Sequence, residues 1–225
     1  IYSSNIGTAR MALKVGVEGQ QAYLKRYGFF GRPAIELPEV GFPIIPKKWS
    51  DLTTMTVAFG HSIAVSPLQV AVADAALVNG GKLIPPTLFR RTREEADKLA
   101  VQVASPDTSE QMRYLFALNV EKGSGRRAEV PGYNVGGKTG TAEKIENGRY
   151  VGNKRLNSFL AAFPMDDPQY VVLVTLDEPK PEKEGSAATA GLNAAPTVAA
   201  VIRRSAALLG VKPRIVDPNG VVLVS

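Results

Sequence analysis

The segments YNVGGKTGTAEK, RYVGNKRLN, SFLAAFP and YVVLVTLDE run from Tyr133 to Glu178 with only Asn147-Gly148 and the polar MDDPQ as links. Links of about two to five residues join antiparallel neighbours, because a parallel crossover needs roughly a dozen residues or more. The stretch reads as an antiparallel meander, and any fold for this chain has to be built around it. That bears at once on Gly132, Gly137, Lys138 and Thr139, which match the phosphate-cradling spacing G-x-x-x-x-G-K-[ST] letter for letter. A phosphate loop needs a buried strand before it and a long helix after it, whose free N–H groups hold the phosphates. Here GSGRRAEVP precedes, polar and Pro-ended, and Gly140, Thr141 and the Asn147-Gly148 turn leave no room for a helix of about three turns. VVLVTLDE imitates the metal-holding strand of such a site but lies one short link after SFLAAFP, where a crossover is required. Nucleotide binding is set aside.

Around the meander the apolar period is helical. IGTARMALKVGVEGQQAYLKRYGF, 6 to 29, is interrupted by Gly16 and Gly19 and reads as two short helices forming a corner. The stretch 33 to 48 holds Pro33, Pro38, Pro43 and Pro46 and is expected as an extended loop, since each Pro removes a donor and fixes φ. Ser66 and Pro67 start a capped helix that stops at Asn79-Gly80-Gly81, and Ser105-Pro106 starts another that reaches Lys122. A helix over 194 to 210 follows the meander, and RIVDPNGVVLVS is read as a terminal hairpin around Asp217 to Gly220.

Composition excludes several chemistries. The chain has no cysteine and one histidine, His61, so disulfides, thiolate nucleophiles and Cys- or His-rich metal sites are not available, and no metal or cofactor is expected. A net charge of +6 is compatible with nucleic acid, but the basic groups Arg90, Arg91, Arg93, then Arg126, Arg127, then Arg203, Arg204 lack interleaved aromatics and read as solvated faces. No apolar run approaches the roughly eighteen residues of a membrane span, and no signal peptide opens the chain. Two lookalikes are also set aside. GHSIA, 60 to 64, approaches a nucleophile elbow, but the lone histidine adjoins its serine and cannot be a distant base, so His61 is read as structural. Asp166, Asp167 and Pro168 fit a turn better than an acid/base pair.

What remains is KTGT, Lys138 to Thr141. Gly136, Gly137 and Gly140 weaken a strand, and are explained if another backbone or a ligand approaches closely. Alternation puts Lys138 and Gly140 on one side and Thr139 and Thr141 on the other. Such an edge suits an anionic, peptide-like ligand lying along the strand, with backbone N–H groups free for an oxyanion. Taken alone, KTGT is equally an edge strand whose lysine discourages aggregation, and Ser3-Ser4-Asn5 is a helix cap.

Together, Ser-x-Asn followed about 130 residues later by Lys-Thr-Gly-Thr resembles the penicillin-binding transpeptidases. WSDLTTMTVAFGHSIAVSPLQVAVADAALVNGGKLIPPTL, EKGSGRRAEVPGYNVGGKTGTAEK and the terminal helix after AAP are similar to the class B branch, and Ser-Ser-Asn with KTGT is similar to its division-specific, FtsI-type members. The resemblance implies an α/β fold of the α+β type: a mainly antiparallel sheet flanked by helices, with a helical subdomain. It implies a peptidoglycan D,D-transpeptidase that crosslinks stem peptides through a serine acyl-enzyme, with D,D-carboxypeptidase, serine β-lactamase or a non-catalytic penicillin sensor as alternatives.

By the same resemblance, Ser3 relays a proton, Asn5 holds the substrate amide, and Lys138 supplies positive potential. Thr139 and Thr141 bind the terminal carboxylate while Gly140 leaves space. Its nucleophile and general base belong to a Ser-x-x-Lys motif, which does not occur in these residues. Residues 1–212 are therefore expected to be a partial transpeptidase domain, inert alone, and 213–225 a C-terminal tail. The implied partners are stem peptides ending in D-Ala-D-Ala, β-lactams, the glycan polymerase FtsW and other divisome proteins. The implied location is extracytoplasmic, on a single-span inner-membrane protein whose anchor is not in these residues.

Overall fold

The computed structural model describes residues 1–146, 149–181, 188–216 and 222–224. The chain divides into a helical unit, Ser3–Glu110, and a sheet unit made of Ile1–Tyr2 and Gln111–Ser225.

In the helical unit, α1 (Asn5–Arg26) is broken at Gly16, whose φ of 77° and ψ of 171° are non-helical, so the two expected helices are present in sequence order. Its second half is tied to α2 (Asp51–Ala58) by Gln20, which donates to the Thr54 carbonyl at 3.0 Å. Trp49 Nε1 donates to Gln20 Oε1 at 3.2 Å and Thr54 Oγ1 at 3.1 Å, the usual way a part-buried indole satisfies its polar end. The proline-rich stretch runs without helix or strand apart from one bridge, Ile44 to Ala64. α3 (Pro67–Val78) opens on a capping box: Ser66 Oγ accepts from Gln69 N, and the Gln69 side chain accepts from Ser66 N. Beyond it come β1 (Lys82–Leu83), α4 (Arg93–Leu99) and β2 (Val101–Gln102), the two strands pairing antiparallel. α5 (Pro106–Lys122) starts in this unit, opened by Ser105 Oγ accepting from Thr108 N at 3.1 Å, and from Gln111 onward belongs to the sheet unit.

Asp74 faces inward on α3, 3% exposed, and its Oδ2 has no hydrogen-bond partner. Burial alone pushes its carboxyl from 3.8 up to about 7. The folded state therefore keeps a proton that the unfolded chain releases. Stability from the protonated form is fully present below pH 3.8 and is lost as pH rises through about 7. Asp74→Asn removes the titration, so its advantage in thermal stability should widen by about 2–3 kcal/mol between pH 5 and pH 8. Melts at the two pH values read this directly, and an advantage that does not change with pH would contradict the assignment.

In the sheet unit, β3 (Gly136–Glu146), β4 (Arg149–Phe163) and β5 (Tyr170–Asp177) form an antiparallel sheet in the order β3-β4-β5. The meander is thus as the link lengths require. RYVGNKRLN and SFLAAF are one continuous 15-residue strand, with the register of β3 on β4 shifting at Glu143/Lys144. The Asn147-Gly148 turn and the tip of the terminal hairpin lie outside the described residues. The hairpin's strands, β6 (Arg214–Val216) and β7 (Val222–Val224), do pair antiparallel. Asp167 N donates to the Pro164 carbonyl at 3.2 Å, and Asp166 accepts from Asn134 at 3.2 Å and pairs with Arg214, a turn rather than an acid/base pair.

The helix α6 (Ala194–Ser205) packs a stripe of Ala194, Ala195, Val198, Ala199 and Ile202 on this sheet. It meets Phe159, Ala161 and Phe163, alternate residues on one face of β4, and all eight side chains are buried. Burying each Phe contributes about 1.5–3 kcal/mol, and the alanines let the helix lie close enough to cover both. The regular helix ends at Ser205 rather than 210. Turn bonds from Leu209 N to Ser205 O (2.9 Å) and Gly210 N to Ala207 O (3.1 Å) carry the coil to Gly210, where φ is 77°. Among the described residues no helix is long and apolar enough to cross a membrane.

Candidate functional site

KTGT lies in the first half of β3, a strand whose sheet partner is β4 and whose other side is a sheet edge among the described residues. No helix follows Thr139, and Asp177 accepts from Lys144 Nζ at 2.9 Å, so both halves of the phosphate-loop imitation are occupied otherwise.

The edge is held by α5 and the turn after it. Asn119, 2% exposed, donates from Nδ2 to the Gly137 carbonyl at 2.8 Å. Its Oδ1 accepts from Ser124 N at 3.2 Å and Ser124 Oγ at 3.3 Å, so one buried amide fixes the strand and the Gly123–Gly125 turn together. Ser124 Oγ in turn lies 3.0 Å from Thr139 Oγ1. Lys138 Nζ curls across its own strand to the Thr139 carbonyl (2.9 Å) and Thr139 Oγ1 (3.3 Å). The carbonyls of Gly137 and Thr139 thus face away from β4. By alternation the main-chain N–H and C=O of Thr141 fall on the same open side.

Thr141 Oγ1 accepts from Ala190 N at 3.2 Å, which draws the segment 188–192 up to the strand. That segment is anchored underneath by Asn157, fully buried on β4 opposite Thr141. Asn157 Nδ2 donates to the Ala188 carbonyl at 2.9 Å and to Asn193 Oδ1 at 3.1 Å, and Asn193 Oδ1 accepts from Ala194 N to start α6. Gly191 belongs here because a Cβ would lie 2.7 Å from the Ser124 carbonyl. Between the 124–127 turn, β3 and the 189–192 segment is an open cavity of about 340 Å³. Thr139 and Thr141 both line it, as the alternation predicts, together with Ser124, Arg126, Arg127 and Thr189. Among the described residues its lining has basic and hydroxyl groups but no carboxylate. Burial lowers the Lys138 ammonium pKa below its ordinary 10.5. Gly140 is open: a Cβ there meets nothing nearer than Ser158 Cβ at 3.8 Å.

Ser3 and Asn5 belong to the helical unit. Ser3 has a left-handed φ of 54°, and the helix cap is Ser4, whose Oγ accepts from Gly7 N at 3.1 Å. Asn5 is the first residue of α1. His61 stacks edge-on against Phe59 at 5.2 Å, and the GHSIA hydroxyl of Ser62 is paired with Thr56 Oγ1 at 3.0 Å.

Sequence reasoning found β3 and missed its support. The sequence puts Asn119 within a helix and Arg126 and Arg127 on a solvated face, and gives Ser124 no role. Both arginines are exposed, yet both line the cavity. The available signal was the close spacing of Gly123, Ser124 and Gly125 next to two arginines, just upstream of KTGT.

A family model described as the penicillin binding protein transpeptidase domain matches residues 1–202. Over 94% of its length the chain is 41% identical to a probable peptidoglycan D,D-transpeptidase FtsI of Caulobacter vibrioides and 38% identical to the stage V sporulation protein D of Bacillus subtilis. It spans 37% and 34% of those two proteins, about a third of their length. Among solved structures, the transpeptidase domain of Burkholderia pseudomallei penicillin-binding protein 3 superposes with a TM-score of 0.84 at 30% identity, covering 93% of this chain and 63% of that one. Penicillin-binding protein 3 of Mycobacterium tuberculosis, complexed with aztreonam, gives 0.81 at 26% identity, covering all of this chain and 53% of that one. The match takes in residues of both units, and the chain belongs to the penicillin-binding protein transpeptidase family, in its class B branch.

Proposed function

We propose that these residues form the substrate-holding part of a peptidoglycan D,D-transpeptidase whose Ser-x-x-Lys motif lies outside them. The observation that carries this reading is the open edge of β3, where Thr139 and Thr141 converge on a cavity lined by arginines and, among the described residues, by no carboxylate. A stem peptide ending in D-Ala-D-Ala adds to that edge as an extra strand, its terminal carboxylate on the Thr139 and Thr141 hydroxyls. The Thr141 N–H, on the open side, serves the oxyanion of the tetrahedral intermediate. Gly140 leaves room for the ligand backbone. Lys138 raises the positive potential beside the reacting carbonyl, Ser3 relays the proton towards the leaving amine, and Asn5 holds the substrate amide.

The acyl group passes from the serine to an amine of a second stem peptide, and the relatives named D,D-transpeptidases favour that acceptor over water. β-Lactams acylate the same serine, a reading supported by the relative solved with aztreonam. Residues 1–212 act as the partial domain and 213–225 as its tail. Ser-Ser-Asn with KTGT, and the FtsI relative, support a role in septal wall synthesis beside FtsW and other divisome proteins, in the extracytoplasmic part of a single-span inner-membrane protein.

A fluorescent penicillin tests the division of labour. The 225 residues alone should take no stable label, whereas the full-length protein should be labelled covalently in a manner that benzylpenicillin competes away. Stable labelling of the 225 residues, or none of the full-length protein, would falsify the assignment.

A further inference from the structure

The four hydroxyls and two guanidiniums around the cavity are not equivalent. Arg127 donates from Nη1 to the Leu192 carbonyl at 3.2 Å and so holds the cavity wall. The Arg126 guanidinium, exposed in the turn Arg126–Ala128, lines the same cavity and has no hydrogen-bond or ion-pair partner among the described residues. Thr141 Oγ1 accepts from Ala190 N, which leaves its own O–H to donate. Thr139 Oγ1 receives from Lys138 Nζ at 3.3 Å and shares a hydrogen with Ser124 Oγ at 3.0 Å. Among the described residues the cavity therefore offers hydroxyl groups on one wall and the Arg126 guanidinium on another, with no acidic side chain in its lining.

A carboxylate entering a partly enclosed site loses water on both oxygens, and neutral hydroxyls return only part of that loss. A guanidinium supplies two parallel N–H donors and the opposite charge, the geometry that matches a carboxylate. We propose that Arg126 is a specificity-determining residue that holds the ligand's carboxylate together with Thr139 and Thr141, restricting the site to acyl donors with a free C-terminal acid. This rests on the transpeptidase reading above. Arg126 takes no part in the proton transfers and acts on donor recognition.

The test is acylation of the full-length protein by benzylpenicillin and by its methyl ester, in the wild type, Arg126→Ala and Arg126→Lys. The alanine variant should lose roughly 10- to 100-fold in acylation efficiency towards the acid, the range for a hydrogen bond to a charged group, and little towards the ester. The loss should fall on the concentration dependence, with the limiting acylation rate kept, and lysine should restore part of it. Equal losses on acid and ester, or no loss on either, overturn the assignment of Arg126 while the wild type's own acylation leaves the transpeptidase reading intact. A wild type that neither compound acylates overturns that reading first.

Discussion

Gly137→Ala should lower the melting temperature by about 6–12 °C, the equivalent of roughly 3 kcal/mol in a chain of this size. A Cβ at Gly137 would sit 2.3 Å from the Leu160 carbonyl oxygen, 2.7 Å from the Phe159 ring and 3.1 Å from Ala161 Cα. Two of those neighbours are backbone of β4 and the third is a fully buried ring, so none can move aside cheaply. Relief comes only by lifting β3 off β4, which also breaks the 2.8 Å bond from Asn119 and shifts Lys138 to Thr141. Displacing a site by about 1 Å can cost a hundredfold in rate, so penicillin acylation of the full-length protein should fall with stability. Gly140→Ala is the matched control. Its Cβ meets no atom nearer than 3.8 Å, so the fold should be kept within about 0.5 kcal/mol. If a ligand backbone occupies that space, acylation should nevertheless drop at least tenfold. The pair separates a glycine required by the sheet from a glycine required by the ligand, and equal behaviour of the two would contradict the edge-binding geometry.

The difference between these glycines marks what the sequence could and could not tell. The meander was legible because link length is a hard constraint: MDDPQ cannot span a crossover. Helix starts were legible because capping is local, and Ser66-Pro67 and Ser105-Pro106 carry their own signals. Thr139 and Thr141 sharing a side followed from the period of a strand alone. The support of the site was not legible, because it is built from residues far apart in sequence that carry no pattern. Asn119 reaches Gly137 across 18 positions, and Asn157 reaches Ala188 across 31. An Asn in a helix and an Asn at the end of a charged segment have no period that marks them as buried. The end of α6 at Ser205 was missed for a related reason, since AALLG keeps a helical apolar rhythm while its backbone closes into turns.

Lys138→Met should separate stability from activity in opposite directions. The ammonium pKa is lowered by desolvation, so the folded state holds its proton less tightly than the unfolded chain does. A group depressed in this way adds stability that is fully present above its ordinary 10.5 and lost as pH falls through the folded value. Near neutral pH the charge is therefore a burden on folding. Methionine keeps the stem's volume and removes the charge, so the variant should melt at the same temperature or higher. If the charge is kept for its field at the reacting carbonyl, acylation of the full-length protein by penicillin should fall about 10²–10³-fold, the loss typical of one preorganised electrostatic group. The wild type's acylation rate should also fall on its alkaline side, below the ordinary lysine pKa, as Lys138 loses its proton, and the variant should lack that limb. An edge-strand lysine that only prevents strand pairing gives the opposite pattern: aggregation rises, while the acylation rate per folded molecule and its pH dependence stay as they were. Opposite movement of melting temperature and acylation rate assigns Lys138 to chemistry, whereas a joint fall assigns it to the sheet.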